Sequence, residues 1–379
     1  MKPSQLFTPG PTRVPQRIQQ TLAQPLIHHR TEPFRHALKS VSEGLQYVMQ
    51  TQNPVIVLTS SGTGAMEAAV ANVTLPGDKV LVTACGKFSY RWIEIAEAYG
   101  IDIIPVEARW GDPVTPAQVK AALEQNDGIG VILTTHTETS TGALLDIAAI
   151  AKLAGEYGAL VVVDAITSLC AQELPADDWG VDVVLGGAQK GFGVPPGLSF
   201  ISLSDRAVER VRTQGHPSYY FNLSKALDSL QKWNTAYTPA TPLVLAMRTS
   251  LEMIREEGLE HVIRRHARHA RAVRAAVNAL GLDLLPSVPC NATTPVLVKD
   301  GHAGDIIRKM ESSFGIKISG GQAHLSGKIV RFGHLGFYEE TDIYTMICAL
   351  EGALTELGIN PAGGKGIAAA LQSFRDDPV

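Results

Sequence analysis

Short runs of unbroken apolar residues alternate with amphipathic stretches from about Asn53 to Ser204. The runs are PVIVLT, KVLVTA, DIIPVE, GIGVILTT, ALVVVDA, VDVVLGG and LSFISLS. Several are apolar almost throughout, which predicts strands covered on both faces. Between several of them lie stretches such as RWIEIAEAYG and LLDIAAIAKLAGEYG, the second closing at Gly158. Strand and helix in alternation predict an α/β unit on a mainly parallel, seven-stranded sheet. One connection is too short for a crossover. VDVVLGGAQK leads to LSFISLS through a stretch rich in proline and glycine, so these two strands are predicted to be antiparallel neighbours.

The texture changes after YTPATP. A helical pattern runs from about Pro242 to Leu280. TPVLVKD, a helix near Gly304 to Phe314, GKIVRFGH and a last helix near Glu340 to Leu357 follow, and predict a smaller α+β unit. The expected division is an N-terminal arm over 1–15, a large domain over 16–245 and a small domain over 246–379. The arm, rich in proline and glycine, is expected to pack on the small domain or on a partner chain. The tail from Gly358 is expected to be loosely ordered.

Composition narrows the function. The chain has 379 residues, 45% of them hydrophobic, with a formal net charge of -4, as a soluble globular protein with a large core would. The one basic run, RRHARHARAVR, lies in a helical pattern and reads as a solvated helix face, not as a nucleic-acid site. Cys85, Cys170, Cys290 and Cys348 are scattered, without a Cys-x-x-Cys pair, which speaks against zinc and against a disulfide framework and suits a reducing cytoplasm. The start, MKPSQLFTPGPTRVP, has no apolar core for an export signal. No apolar run approaches the roughly 20 residues that span a bilayer.

Three motifs carry chemistry. In VLTSSGTGAMEAAV a strand gives way, through Ser61, Gly62 and Thr63, to a helix whose first N–H groups can bind a phosphate. The same turn reads equally as an ordinary capped helix start. It lacks the Gly-Lys-Ser/Thr of a nucleotide loop and the Gly-x-Gly-x-x-Gly of a dinucleotide site. In ALVVVDAITSL, Asp164 ends a very apolar strand, where a carboxylate is costly unless something positive faces it. In LGGAQKGFGVPPG, Lys190 is the one charge in a tightly turned apolar stretch. A lysine so placed has a lowered pKa and attacks aldehydes. Phosphate cradle, carboxylate and amine, on successive strand ends, are what pyridoxal 5'-phosphate requires.

TPGPTRVP, SSGTGAMEAAV, THTETSTG, VVVDAITSL, GGAQKGFGVPPGLSF and KIVRFGHLG, in that order, resemble the class V aminotransferases, near the alanine–glyoxylate and serine–pyruvate branch. The resemblance implies the aspartate-aminotransferase-like fold type I and a homodimer with shared active sites. It implies that Ser61, Gly62, Thr63 and Gln189 bind the cofactor phosphate, that Thr139 contacts the ring hydroxyl or its immediate surroundings, and that Phe88 stacks on the ring. Ile166, two residues after Asp164 and so on the same side of a strand, would cover the other face. On residues alone Phe88 and Ile166 read as core, and Thr139 as a turn residue. Arg331 becomes the clamp for the substrate α-carboxylate. In YTPATP, Thr238 matches the threonine that crosses to the neighbouring phosphate, with Thr241 as competitor. His28, His29 and Arg30 fall near the substrate entrance, and Arg30 is a candidate substrate contact.

The resemblance implies transfer of an amino group from alanine or serine to glyoxylate or pyruvate. Aspartate, ureidoglycine and aminoethylphosphonate are alternative donors in similar proteins. A cysteine desulfurase or lyase would carry a His before the lysine and a thiol on a mobile loop. Here Gln189 precedes Lys190, and Cys290 sits in SVPCNATTP. A non-catalytic homologue that keeps the fold is the rival of another class.

Overall fold

The structure is a computed structural model that describes residues 4–213, 218–359 and 363–377. All seven predicted strands form one sheet. In spatial order they are Val55–Leu58, Ser199–Leu203, Val183–Gly187, Leu160–Asp164, Ile129–Thr135, Lys79–Ala84 and Asp102–Glu107. Ser199–Leu203 runs antiparallel to both neighbours, and the other pairings are parallel. The short Pro/Gly connection from Gly187 to Ser199 has no room for a helix, so the chain turns straight back.

Alternation along the strands feeds two cores. Val161 and Val163 join the apolar cluster on one face of the sheet, and Leu160 and Val162 the cluster on the other. Both faces are therefore dry, which is why these strands read as unbroken apolar runs. Helices Glu32–Met49 and Ile147–Glu156 cover the first face, Gly62–Val73 and Lys87–Ala98 the second. The C-terminal ends of five parallel strands open along one edge. Ser61, Phe88, Thr139, Asp164 and Lys190 lie at or just after those ends.

A second, four-stranded antiparallel sheet comprises Asp283–Leu284, Thr293–Leu297, Ile329–Gly333 and Ser319–Gly320. Helices Ala303–Phe314 and Glu340–Glu356 share a core with it. The long helical pattern is two helices, Thr241–Glu257 and Leu259–Ala279, because Gly258 at φ 86 breaks the run. Their apolar residues pack with the large core as far as Val262 and with the small core from Ala272. The change of core thus lies inside the second helix, later than the division at 245 expected from texture.

The tail also departs from expectation. Residues 360–362 lie outside the described residues, but Lys365–Asp376 is a helix that packs Ala370 and Phe374 into the small core. Its apolar positions recur at helical spacing, and Glu351 accepts from the N–H groups of Gly366 and Ile367 at its start. Among the described residues no helix is long and apolar enough to cross a membrane.

The N-terminal arm joins the small domain. Gln5–Leu6 pairs in parallel with Ile316–Lys317. Phe7 is buried in the small core and stacks on Tyr338, with ring centroids 5.0 Å apart. Next in the chain, Pro9 reaches Lys190. Phe7→Ala should therefore cost about 3–5 kcal/mol of stability, the usual range for emptying a buried Phe site. Urea unfolding measures this; a loss below about 1 kcal/mol would show that the arm is not anchored there.

Candidate active site

Lys190 lies in the turn after strand Val183–Gly187, closed by the Gly193 N–H on the Lys190 carbonyl at 3.0 Å. Its side chain is buried, and its ammonium donates to the carbonyl of Pro9. The arm is fastened to the same turn. Thr12 N donates to Gln189 O at 3.1 Å, and Thr12 Oγ1 to Lys190 O at 2.9 Å. Gly10, at φ +127, would place a Cβ 2.5 Å from Lys190 Nζ, so only glycine lets the arm pass so close. Burial, with Arg331 adding to it, brings the Lys190 pKa down to about 8. The attraction of Asp164 opposes the shift without reversing it.

Asp164 ends strand Leu160–Asp164. Its Oδ1 accepts from Ile166 N at 2.9 Å, and Oδ2 has no partner among the described residues. Burial pushes its pKa up to about 6, although the Ile166 bond pulls the other way. Both groups thus lean towards their neutral forms in a dry site. A cationic ring nitrogen at Asp164 and an aldehyde at Lys190 would each relieve that cost.

The two residues open into one cavity of about 280 Å³, with Ser61, Gly62, Thr63, Phe88, Thr139, Ile166 and Gln189 also lining it. Ile166 reaches it differently from the expectation. The strand stops at Asp164, so Ile166 stands in the following turn and strand alternation does not aim it. It packs so closely on the Ser61–Thr63 turn that a Cβ on Gly62 would lie 2.4 Å from its Cδ1.

Helix Gly62–Val73 starts with Ser61 as N-cap, and no side chain caps it. Its first N–H groups are left for an anion. Gln189 adds an amide whose Oε1 is buried without a partner. Bare helix-start donors, a half-used carboxylate and a buried amine fit a phosphorylated aromatic aldehyde, to which Gln189 could donate only through its amide nitrogen.

Three of the expected residues, and the competitor Thr241, lie outside the wall of this cavity. Arg331, on strand Ile329–Gly333, reaches its margin, donating from Nη1 to Thr139 O at 3.0 Å and from Nε to Gly320 O at 2.8 Å. Two carbonyls so fix the guanidinium, leaving Nη2 and one Nη1 hydrogen for a ligand. Burial brings its pKa down to about 10. Arg30 is in an exposed loop and donates to Thr235 O at 3.4 Å. Thr238, exposed, lines a separate hollow with Thr59, Tyr220 and Tyr237. Thr241 is buried at the start of its helix.

Residue patterns missed two important groups. Glu138, inside THTETSTG, accepts from Phe88 N, Ser89 N, Ser140 N and Ser140 Oγ, at 2.7–3.3 Å. It thereby anchors the start of helix Lys87–Ala98, which carries Phe88. Its signal was a lone acid in an uncharged run. Arg91 lines the cavity and donates from Nη1 to Thr63 Oγ1 at 3.0 Å. Its signal was the three-residue spacing from Phe88, which puts both on one helix face.

Comparison with known proteins now bears on this geometry. The family described as aminotransferase class-V matches residues 6–340. The chain belongs to the class V aminotransferases. It is 42% identical to the soluble hydrogenase 42 kDa subunit of Anabaena cylindrica, over 97% of this chain and 98% of that one. It is 35% identical to an L-aspartate–glyoxylate aminotransferase of Paracoccus denitrificans, over 98% and 96% of the two chains. The crystal structure of an alanine–glyoxylate aminotransferase from Nostoc sp. superposes with a TM-score of 0.89 at 30% identity, covering 93% of this chain and 96% of that one. The cofactor of this aminotransferase is pyridoxal phosphate. When bound, it supplies an aldehyde that takes up an amino group and a ring that draws electrons from the adjoining carbon.

The aminotransferase's lysine can be tested by its pH dependence. Only the neutral amine attacks an aldehyde, so labelling of Lys190 in the stripped protein should rise with pH through a midpoint near about 8. Pyridoxal phosphate with borohydride, followed by peptide mapping, reads this out. A midpoint near the ordinary lysine value of about 10.4 would contradict a desolvated amine.

Proposed function

We propose that the enzyme moves an amino group from a small amino acid, alanine or serine, to glyoxylate or pyruvate. The observation that carries this reading is the supply of cations. Arg331 keeps part of its fork free at the Thr139 margin of the cavity, whereas Arg91 lies at the helix start that would hold the cofactor phosphate, with Nη1 on Thr63, and Arg30 lies elsewhere in its own chain. One α-carboxylate is thus provided for, and a distal one is not. The relatives named for glyoxylate support the acceptor.

In this reading Arg331 binds the carboxylate common to donor and acceptor, end-on through Nη1 and Nη2. Lys190 Nζ, with a pKa of about 8, is the group that takes and returns the proton on the substrate Cα. Asp164 holds a proton on the cofactor's ring nitrogen. Ser61, Gly62, Thr63 and Gln189 would hold the phosphate, Phe88 and Ile166 would enclose the ring, and Thr139 would lie at its edge. A desulfurase reading draws no support from Cys290, which is buried among Ala171, Ala292 and Leu335 with its thiol pKa pushed up by burial. The name of the Anabaena relative suits a complex-associated role, but the gathering of Lys190, Asp164 and the open helix start in one cavity supports the catalytic reading.

The enzyme is also proposed to act as a cytoplasmic homodimer. Thr238 is the candidate to reach the partner's phosphate site, because it is exposed and lies outside its own chain's Lys190 cavity. The free cysteines suit a reducing compartment.

A panel of donors, with glyoxylate and pyruvate as acceptors, tests the substrate reading. Arg331→Ala should lower kcat/KM for donor and acceptor alike by tens- to thousands-fold, since removing one partner of such a pair costs roughly 2–5 kcal/mol. Aspartate outrunning alanine and serine tenfold would overturn the small-donor reading, and no turnover with any donor would favour the non-catalytic one.

Shared sites predict complementation. Mixing inactive Lys190→Ala with a Thr238 variant should restore activity in hybrid dimers, one site of each being intact. A fully active monomer on a sizing column would contradict the assembly.

A further inference from the structure

Arg91 stands in the cavity wall, yet nothing in the reading above uses its charge. Its surroundings are specific. It lies on helix Lys87–Ala98, whose start is anchored by Glu138, and its guanidinium carbon sits 5.0 Å from the centroid of the Phe88 ring. From that seat Nη1 reaches Thr63 Oγ1 at 3.0 Å. Arg91 is always a donor and never an acceptor, so the Thr63 oxygen must be the acceptor. The hydroxyl's single hydrogen is then left to be donated elsewhere, and Thr63 Oγ1 has no other partner among the described residues. Thr63 belongs to the uncapped first turn of helix Gly62–Val73 and lines the cavity.

We propose that Arg91 is a positioning residue for the cofactor phosphate: its bond to Thr63 Oγ1 turns the threonine hydroxyl into a fixed donor aimed at the phosphate. The proposal rests on the assignment of Ser61–Thr63 as the phosphate turn. It explains why an arginine is spent on a neutral hydroxyl and why that arginine is held on an aromatic ring. The Phe88 ring holds the guanidinium beside Thr63 while the site is empty. The hydroxyl is therefore biased towards its donor orientation before the phosphate arrives, which lowers the ordering cost of binding.

The test compares two probes, pyridoxal phosphate and pyridoxal, titrated into protein stripped of cofactor. Wild type should bind the phosphorylated probe far more tightly. Arg91→Met should weaken pyridoxal phosphate by about 10- to 100-fold, the value of one hydrogen bond involving a charged group, and leave pyridoxal within about twofold. Thr63→Val should do the same. The double variant should bind pyridoxal phosphate within about threefold of Thr63→Val alone, because the arginine acts through that hydroxyl. Arg91→Lys keeps a charged donor and should recover part of the loss. Circular dichroism and the unfolding midpoint of the stripped proteins check folding, and if Arg91→Met does not fold, Arg91→Lys with Thr63→Val completes the same cycle.

Unchanged pyridoxal phosphate affinity in Arg91→Met overturns the proposal, as does an equal loss for both probes or full additivity with Thr63→Val. The underlying assignment fails separately. In that case wild type would not prefer the phosphorylated probe, and neither Thr63→Val nor Ser61→Ala would weaken it.

Discussion

The structure turns on the burial of one ammonium without a carboxylate to pair it. Lys190 is shut away from water, and the attraction of Asp164 is too weak to hold its pKa up. In a folded protein such a group would ordinarily be expelled or matched by an acid. Here one carbonyl, that of Pro9, accepts from it. That carbonyl belongs to the arm, and the arm is tied to the small domain by Phe7 and by the strand pair Gln5–Leu6 with Ile316–Lys317. The reactive amine of the large domain thus depends on the small one. Arg331 makes the reverse tie, from the small sheet to Thr139 O of the large domain. The two domains meet at the site because each completes the other's hydrogen bonds.

Two buried carboxylates show how surroundings divide labour. Glu138 accepts from several N–H and O–H donors and sits at a helix start, so its charge is spent on architecture. Asp164 accepts one bond and is driven to about 6 by burial, so its charge awaits a cation. At neutral pH it is still largely ionised. The cost of that state makes the site selective for a ligand that brings a protonated nitrogen, and Lys190 beside it favours one that brings an electrophile.

Much of this could be read from the chain alone, for physical reasons. A sheet buried on both faces needs unbroken apolar strands, and those announce themselves. A lone lysine among glycines is legible because a solvated surface would have surrounded it with charge. Other features arise only from folding. Pro9 and Gly10 touch Lys190 across 181 and 180 positions, as the numbering shows, and no local pattern carries such a contact. Gly258 broke one long helical pattern into two because a single glycine is tolerated in many helices and decisive in some. Arg91 was hidden for a different reason: on an amphipathic helix an arginine reads as solvent-facing until its neighbours are known.

The same layout shows where differences between relatives can arise. Lys190, Asp164 and Thr139 follow the ends of buried strands, and Arg331 lies within one, so their positions are fixed by packed cores on both sides. Changing them would disturb the sheet as well as the chemistry. Arg30 and Thr238 stand exposed on loops, with Arg30 held by a single carbonyl at 3.4 Å. Loops of this kind vary without cost to the core. A fold that superposes on an alanine–glyoxylate aminotransferase and also shares 35% of its residues with an aspartate–glyoxylate enzyme is the expected outcome of such a division. The invariant demand, an α-carboxylate and an amine, is met by rigid elements. In the proposed dimer, where such loops would approach the partner's cavity, donor choice can shift while the reacting groups keep their geometry.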